Sequence, residues 1–269
     1  MSKPNIKKYL EVFRWSFKMQ IVWRFDVAMT MLGTMGRILA AWILWNAVFA
    51  RTENVRGFTF EAMLSYYIIS SFLKSLDFSS QISDEISHLI REGGFSKHMV
   101  IPMNPFGFFG FMAAGESVFH FGFSCAAALL CSFLFGIRII FGSSLVSILS
   151  AAIMIPLGLL FMMCFHYLLG ILSFRFLSIR AFTFIANNFT GFLTGALVPL
   201  ILLPESIAAL MRLFPFYYVA YLPSMLLIGR SGDEAVSGIL VLSCWIIAFL
   251  ILNHFSYNRL RIMHEGVGI

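Results

Sequence analysis

Leu145-Val-Ser-Ile-Leu-Ser-Ala-Ala-Ile-Met-Ile-Pro-Leu-Gly-Leu-Leu-Phe-Met-Met-Cys-Phe-His-Tyr-Leu-Leu-Gly-Ile-Leu-Ser173 runs for 29 residues without a charged side chain. A helix of about 20 residues, rising 1.5 Å each, crosses the hydrocarbon core of a bilayer. This stretch is long enough to do so, and it is one of several. Apolar runs at about 27–49, 60–79, 106–136, 145–173, 182–203 and 236–256 predict six spans. The runs at 106–136 and 145–173 exceed the bilayer, so they tilt or project beyond it.

Composition agrees. Hydrophobic residues make up 59% of the 269 and charged residues 12%, against about 25% charged in soluble domains. Disorder is excluded, because it needs low hydrophobicity and high charge. No stretch is polar enough for a separate soluble domain. The expectation is one all-α membrane domain over residues 1–269. Cys125, Cys131, Cys164 and Cys244 all lie in apolar runs without CxxC spacing. They read as small core residues rather than disulfides or metal ligands.

The net charge of +6 follows the loops rather than a nucleic-acid partner. One side holds Lys3, Lys7, Lys8, Arg14, Lys18, Arg24, Arg91, Lys97, Arg175, Arg180, Arg259 and Arg261. The other holds Arg51, Arg56, Arg138, Arg212 and Arg230. Basic residues collect on the cytoplasmic side, which predicts both termini there. Residues 5–24 show no short apolar core of a cleavable signal. Ile6, Tyr9, Leu10, Phe13 and Phe17 recur at helical spacing, with Lys7, Lys8, Arg14 and Lys18 as a basic face. That pattern predicts a helix in the headgroup plane; the alternative is a solvated basic tail.

The loop between the second and third spans is Gln81-Ile-Ser-Asp-Glu-Ile-Ser-His-Leu-Ile-Arg-Glu-Gly-Gly-Phe-Ser-Lys-His-Met-Val-Ile-Pro-Met-Asn-Pro105. Ser83 is the expected N-cap, with Asp84 and Glu85 in the first turn. Ile82, Ile86, Leu89 and Ile90 form one apolar stripe, and Gly93-Gly94 ends the helix. A second short segment follows, stopped by Pro102 and Pro105.

Ile90-Arg-Glu-Gly-Gly-Phe95 and then Met99-Val-Ile-Pro-Met-Asn-Pro105 resemble the first cytoplasmic loop of ABC-2 type exporter permeases. Phe214-Pro-Phe-Tyr-Tyr218, with Leu222-Pro223 and Leu226-Leu-Ile-Gly229, resembles that family's re-entrant segment before the last span. The tail from Arg259 to Gly268 is similar to the basic, glycine-terminated tails of bacterial members, among them the short viologen- and antibiotic-exporter permeases. The resemblance implies a permease that pairs with a second copy or a sister permease in the bacterial inner membrane. It also implies separate nucleotide-binding ATPase subunits as partners. This chain would bind no cofactor, since it has no GxxxxGK[ST] phosphate loop, and ATP and Mg would sit in the partner. The chain would not itself be an enzyme. Residues 82–104 would be the coupling loop, with Glu85, Arg91, Glu92 and Lys97 as contacts. Residues 204–229, broken by Pro204, Pro215 and Pro223, would form an extracytoplasmic re-entrant segment; the alternative is a loop on the headgroups.

Charges inside spans are functional candidates because each costs about 2.5–3.5 kcal/mol to insert. Arg37, Lys74, Asp77 and Glu116 qualify. Lys74 and Asp77 are three apart, as an interfacial pair or as substrate contacts. Arg37 would pair with Glu116 or Asp77. In the resembled family, spans 2 and 5 line the dimer interface and export path. Here they offer Ser65, Tyr66, Ser70, Ser71 and Lys74 opposite Asn187, Asn188, Thr190, Gly191, Thr194 and Gly195, with ordinary packing as the alternative. The histidines show no metal spacing, and His120 and His166 read as core or cavity residues. The many Phe and Met suit an apolar or amphipathic substrate. The competing reading is an ATP-independent secondary transporter or channel subunit, for which the expected charged relay or inverted repeat is not evident; a purely structural assembly subunit is the third.

Overall fold

The computed structural model describes residues 6–22, 24–136, 138–176, 179–195 and 199–265. Among them are eleven α-helices and no β-strand: α1 (Ile6–Val22), α2 (Arg24–Phe49), α3 (Phe60–Ser75), α4 (Ser79–Arg91), α5 (Ser96–Val100), α6 (Pro105–Phe135), α7 (Leu145–Ile171), α8 (Arg180–Leu193), α9 (Glu205–Met211), α10 (Tyr221–Leu227) and α11 (Ala235–Glu265). Local chemistry sets several boundaries. Asn104 caps α6 by accepting from Phe106 N at 3.0 Å, and Pro105 occupies its first turn, where no N–H is needed. Pro105 thus opens the helix as well as closing the loop before it. Ser144 caps α7.

Four stretches are long and apolar enough to cross a membrane: Phe25–Phe49, Pro105–Leu134, Leu145–Phe174 and Gly232–Ile262. The expected count of six is not reached on length. The run at 60–79 yields a 16-residue helix, about 24 Å long. Asp77 accepts from Ser79 N and starts α4 instead. The run at 182–203 yields 14 helical residues, ending where Gly195 takes a φ of 72°. Glu205–Met211 and Pro215–Leu227 are apolar enough together to count as a fifth, but they meet at 87°.

The core centres on α7, which packs against α11, α4 and α10. Met154, Phe161 and Met162 of α7 meet Leu222 and Leu226 of α10 and Leu242 of α11. Between membrane helices such contacts hold by close van der Waals packing, since lipid tails are as apolar as these side chains. In α3, eleven of sixteen residues are buried, four of them serines. A helix carrying that many hydroxyls is protected from lipid by its neighbours.

The N-terminal segment is helical as expected, but it does not lie across the bundle. Tyr9 meets Gly107, Phe13 meets Gly115, and Gln20 meets His120, so α1 runs alongside α6 in the same direction. A Cβ at Gly115 would fall 2.6 Å from Phe13 O; the missing side chain admits the α1 backbone. The stripe assigned to headgroups is largely spent on helix packing. Ile6, Leu10 and Trp15 keep an exposed apolar flank. Part of the C-terminal tail, residues 266–269, lies outside the described residues, as do Lys3 and the side chains of Arg24 and Cys131.

The bundle has two unlike ends. One carries α4, the start of α6 and the last turns of α11. Ile82, Phe95, Phe109, Phe174 and Leu260 share one buried cluster there. At the opposite end, three of the five arginines assigned to that side are anchored. Arg56 donates to Leu203 O at 3.2 Å, and Arg230 donates to Gly57 O while lying 3.9 Å over the Phe58 ring. Arg212 pairs with Glu234 at 3.1 Å, which also accepts from the Tyr217 hydroxyl at 2.8 Å.

Candidate functional site

The amphipathic helix α4 has a buried apolar face and an exposed charged one. Ile82, Ile86 and Ile90 are buried against α7. Contact is close because Gly170 faces Ile86: a Cβ there would lie 3.0 Å from Ile86 Cβ. Ser83 is not the cap. It sits one turn inside α4, completely buried, with its hydroxyl 3.4 Å from His166 Nδ1. Asp77 takes the terminal role by accepting from the backbone and hydroxyl of Ser79. Lys74 Nζ lies 3.7 Å from Asp77, so the expected pair forms at the α3–α4 junction. Gly93, with φ 72°, ends the helix, and Phe95 N returns to Leu89 O at 3.0 Å. Phe95 then plugs between Phe109 and Phe174.

The other face of α4 is open. Asp84, Glu85, His88, Arg91, Glu92 and, beyond it, Lys97 are all exposed. His88 lies 3.2 Å from Glu92, and the Arg91 Nε reaches its own helix at Ser87 O. Such surface pairs contribute only about 0–1 kcal/mol, so they leave these charges available to a partner. His98, set against the rings of Phe95, Phe108 and Phe109, is held below the usual histidine range by partial burial; Glu85 opposes that shift and Lys97 adds to it.

One edge of α4 faces α8. Between them lies a cavity of about 400 Å³ with Asp84, His88 and Arg91 on one wall and Arg180, Thr183 and Asn187 on the other. Sequence reasoning did not place Arg180 here; a loop basic residue carries no sign of which helix it will meet.

Of the polar residues assigned to spans 2 and 5, Tyr66 meets Gly195 and Lys74 shares a pocket with Thr194, within one chain, while Asn187 lines the cavity towards α4. The Tyr66 hydroxyl donates to Gly195 O at 2.8 Å, and Tyr66 is 1% exposed. Ser70 is buried and bonds Tyr67 O; Thr190 bonds Asn187 O and Thr194 bonds Thr190 O. These hydroxyls serve their own backbones. Ser65 is likewise internal, accepting from Ile140 N at 2.8 Å. Lys74 and Thr194 share a small pocket with Asp77 and Ala220. Gly191 is buried, Asn187 is half-buried and Asn188 is exposed.

Arg37 does not pair as expected. Glu116 accepts from Ser16 of α1 at 3.3 Å, and Asp77 belongs to Lys74. Arg37 lies midway along α2, on its outer face, and donates to Thr34 within its own helix. The small residues Gly33, Gly36 and Ala40 are exposed beside it. Among the described residues, no three His, Cys, Asp or Glu gather as metal ligands. Cys125, Cys164 and Cys244 are free thiols.

Features that sequence reasoning missed include Asn253. It is buried on α11 and donates to Cys164 O at 2.9 Å, locking α11 to α7. A lone Asn in an apolar run signals some buried bond, though not its partner. The sequence model of a family described as "ABC-2 family transporter protein" matches residues 35–261. No curated protein matches the chain.

Proposed function

This chain belongs to the ABC-2 transporter family, and we propose that it is the membrane-spanning permease subunit of an ATP-binding cassette exporter. In this reading ATP and Mg²⁺ are bound and turned over by separate nucleotide-binding subunits. The observation that carries it is the two-faced geometry of α4: three isoleucines fixed to α7, and a row of open charges on the other side. A helix so mounted passes on a push. The partner ATPase engages Glu85, Arg91, Glu92 and Lys97. Its motion displaces α4, which shifts α7 through Ile86 and Gly170 and α8 through the wall at Arg180 and Asn187. Because Tyr66 ties α8's end to α3, the α3–α8 seam moves with it. Alternating access where α3 meets the end of α8, past Lys74 and Thr194, is the proposed transport step.

Completion of the path by a second copy or a sister permease is supported by the outer faces of α2 and α8. Phe182, Phe184, Ile185 and Phe189 of α8 are exposed. Arg37 at mid-span is costly against lipid, and such charges face protein or a water-filled cavity. An apolar or amphipathic cargo suits the cavity of about 450 Å³ between α6 and α7, where Phe111, Leu160 and Met163 meet a single carboxylate, Asp77. The bent segment 205–227 serves as the re-entrant cap, since irregular backbone at membrane depth must be sheltered by protein. The start of α1 and the last turns of α11 lie with α4, and that end is the cytoplasmic side of a bacterial inner membrane in this reading, in keeping with the basic residues collected there.

A photoreactive amino acid placed at Lys97, and separately at Glu85, tests the reading in intact membranes. The expected adduct is a P-loop ATPase, identified by mass spectrometry. Adducts with lipid alone, at both positions, would contradict it.

A further inference from the structure

Arg37 sits at the centre of the Phe25–Phe49 span, twelve residues or about 18 Å from either end. That is too far for an arginine side chain to bring its charge to either headgroup layer. Around it on α2, Leu32, Leu39, Ile43 and Leu44 are exposed and apolar. A guanidinium carries five N–H donors. The bond that Arg37 makes among the described residues is to the Thr34 hydroxyl, at 3.0 Å. No carboxylate lies within ion-pair range of it among those residues. A charge at that depth is held by protein or by a water-filled cavity.

The chain supplies no carboxylate at that depth, to itself or to a copy. Two copies insert into one membrane in the same direction, related by a two-fold along its normal, so each residue keeps its depth. On α2, Asp26 is eleven residues away, about 16 Å. Glu61 follows Phe60, whose ring meets Phe49, twelve residues from Arg37. Glu116 bonds Ser16, and Asp77 pairs with Lys74. Helices α7, α8 and α10 contain no acid, and the acid of α11 is Glu265. Glu265 lies five residues past Leu260, which packs in one cluster with Phe109. Arg37 adjoins Ile38, which packs with Ala128, nineteen residues or about 28 Å along α6 from Phe109. The other acids lie on α1, on α4 or in the loops and short helices at the two ends of the bundle. A facing copy would therefore set Arg37 against Arg37 or against uncharged side chains.

We propose that the α2 face around Arg37 docks a transmembrane helix of a different chain, one that carries an aspartate or glutamate at the same depth. Resting on the reading of the protein as a permease completed by a second membrane chain, this pairing makes that chain a sister of complementary charge and not a copy. Arginine and carboxylate can join through two parallel hydrogen bonds. The partner's carboxylate would be as costly in lipid as Arg37, so each chain carries the charge that the other needs. Gly33, one turn from Arg37 on the same face, looks onto open space: a Cβ there would meet nothing within 4 Å.

A photoreactive amino acid in place of Gly33 tests this, in the full chain in its own host membranes with two differently tagged copies present. The expected adduct is a membrane chain other than this one, joined through an apolar segment of about 20 residues that contains Asp or Glu. Arg37→Gln should lower its yield about fivefold. Arg37→Lys, which keeps the charge and loses the two-pronged fit, should lower it about twofold. An uncharged residue costs less than arginine in a span, so the Gln variant still inserts. Arg37→Glu combined with exchange of the captured acid for Lys should restore the yield that either change alone removes. An adduct between the two tagged copies, an adduct with lipid alone, a captured segment free of Asp and Glu, or an unchanged yield in Arg37→Gln would overturn the proposal. The exporter reading is judged separately, by the P-loop ATPase captured at Lys97. If that adduct persists while Gly33 captures a copy, the sister partner fails and the permease reading stands.

Discussion

At the end of the bundle away from α4, three arginines tie separate segments together. Arg56, Arg212 and Arg230 each hold a backbone oxygen, a carboxylate or a ring from a different segment. At the α4 end the fastening is apolar, through Ile82, Ile86, Ile90 and Phe95, and the charges of the same segment stay in solvent. Both ends are built from loops and short helices, yet one is closed on itself and the other has a surface to spare. A cap needs rigidity. An input surface needs a firm base and an unsatisfied outer face, and α4 has both.

Substitutions that attack each end separately can break this contrast. The largest effect is expected at Gly142, whose N–H donates to Leu227 O at 2.8 Å. A Cβ there would fall 2.6 Å from Gly229 N, backbone against backbone, and Gly229 is held at φ 80°. Overpacking of this kind costs about 1–3 kcal/mol, and more where nothing can yield. Gly142→Val should abolish a monodisperse peak in fluorescence-detected chromatography. A stable, monodisperse variant would show that the cap is not rigid.

Next comes Ile86→Ala, which empties a completely buried site under α4. The expected loss is about 2–4 kcal/mol, read as a lower melting temperature together with new proteolytic cleavage between residues 79 and 100. Cleavage elsewhere alone would mean that α4 is not held by its apolar face. Glu234→Gln removes the charge that binds Arg212. That pair is partly exposed, so the loss should be about 1 kcal/mol or less, with no effect at the α4 end.

The smallest effect is pH-dependent. Partial burial lowers the pKa of His98 in the folded chain below its value of 6.5 in the unfolded chain. The unfolded state therefore binds the proton more readily. Stability should be full above about pH 6.5 and fall as the pH drops below it, towards the folded pKa. Melting curves at pH 7.5 and 5.5 should diverge for the wild type and less so for His98→Gln. Equal divergence in both would assign the effect to another group.

Much of this was legible in the sequence. The long apolar runs gave α2, α6, α7 and α11 because length and hydropathy are enough to mark a crossing. The stripe Ile82, Ile86, Ile90 gave α4, and the pair Lys74–Asp77 followed from spacing alone. Hidden were the features that depend on which helices meet. Hydropathy could not show that α3 is a short, serine-bearing core helix, because hydroxyls look alike whether they line a path or bond their own backbone. The N-terminal stripe looked the same whether it would meet headgroups or the glycines of α6. Arg37 could be marked as costly, but only the fold shows that its expected partners are engaged elsewhere.

The most direct test sets the two ends against each other in one experiment. Glu85→Arg with Arg91→Glu inverts charges on the open face of α4; Arg212→Glu with Glu234→Arg inverts the closed pair. Both are solubilised gently and compared with wild type for melting temperature and for a co-purifying P-loop ATPase. The account predicts that the first variant keeps its melting temperature and loses the ATPase, while the second keeps the ATPase. If the α4 swap retains the ATPase, or if no ATPase accompanies even the wild type after cross-linking, α4 is not the input surface and the account fails.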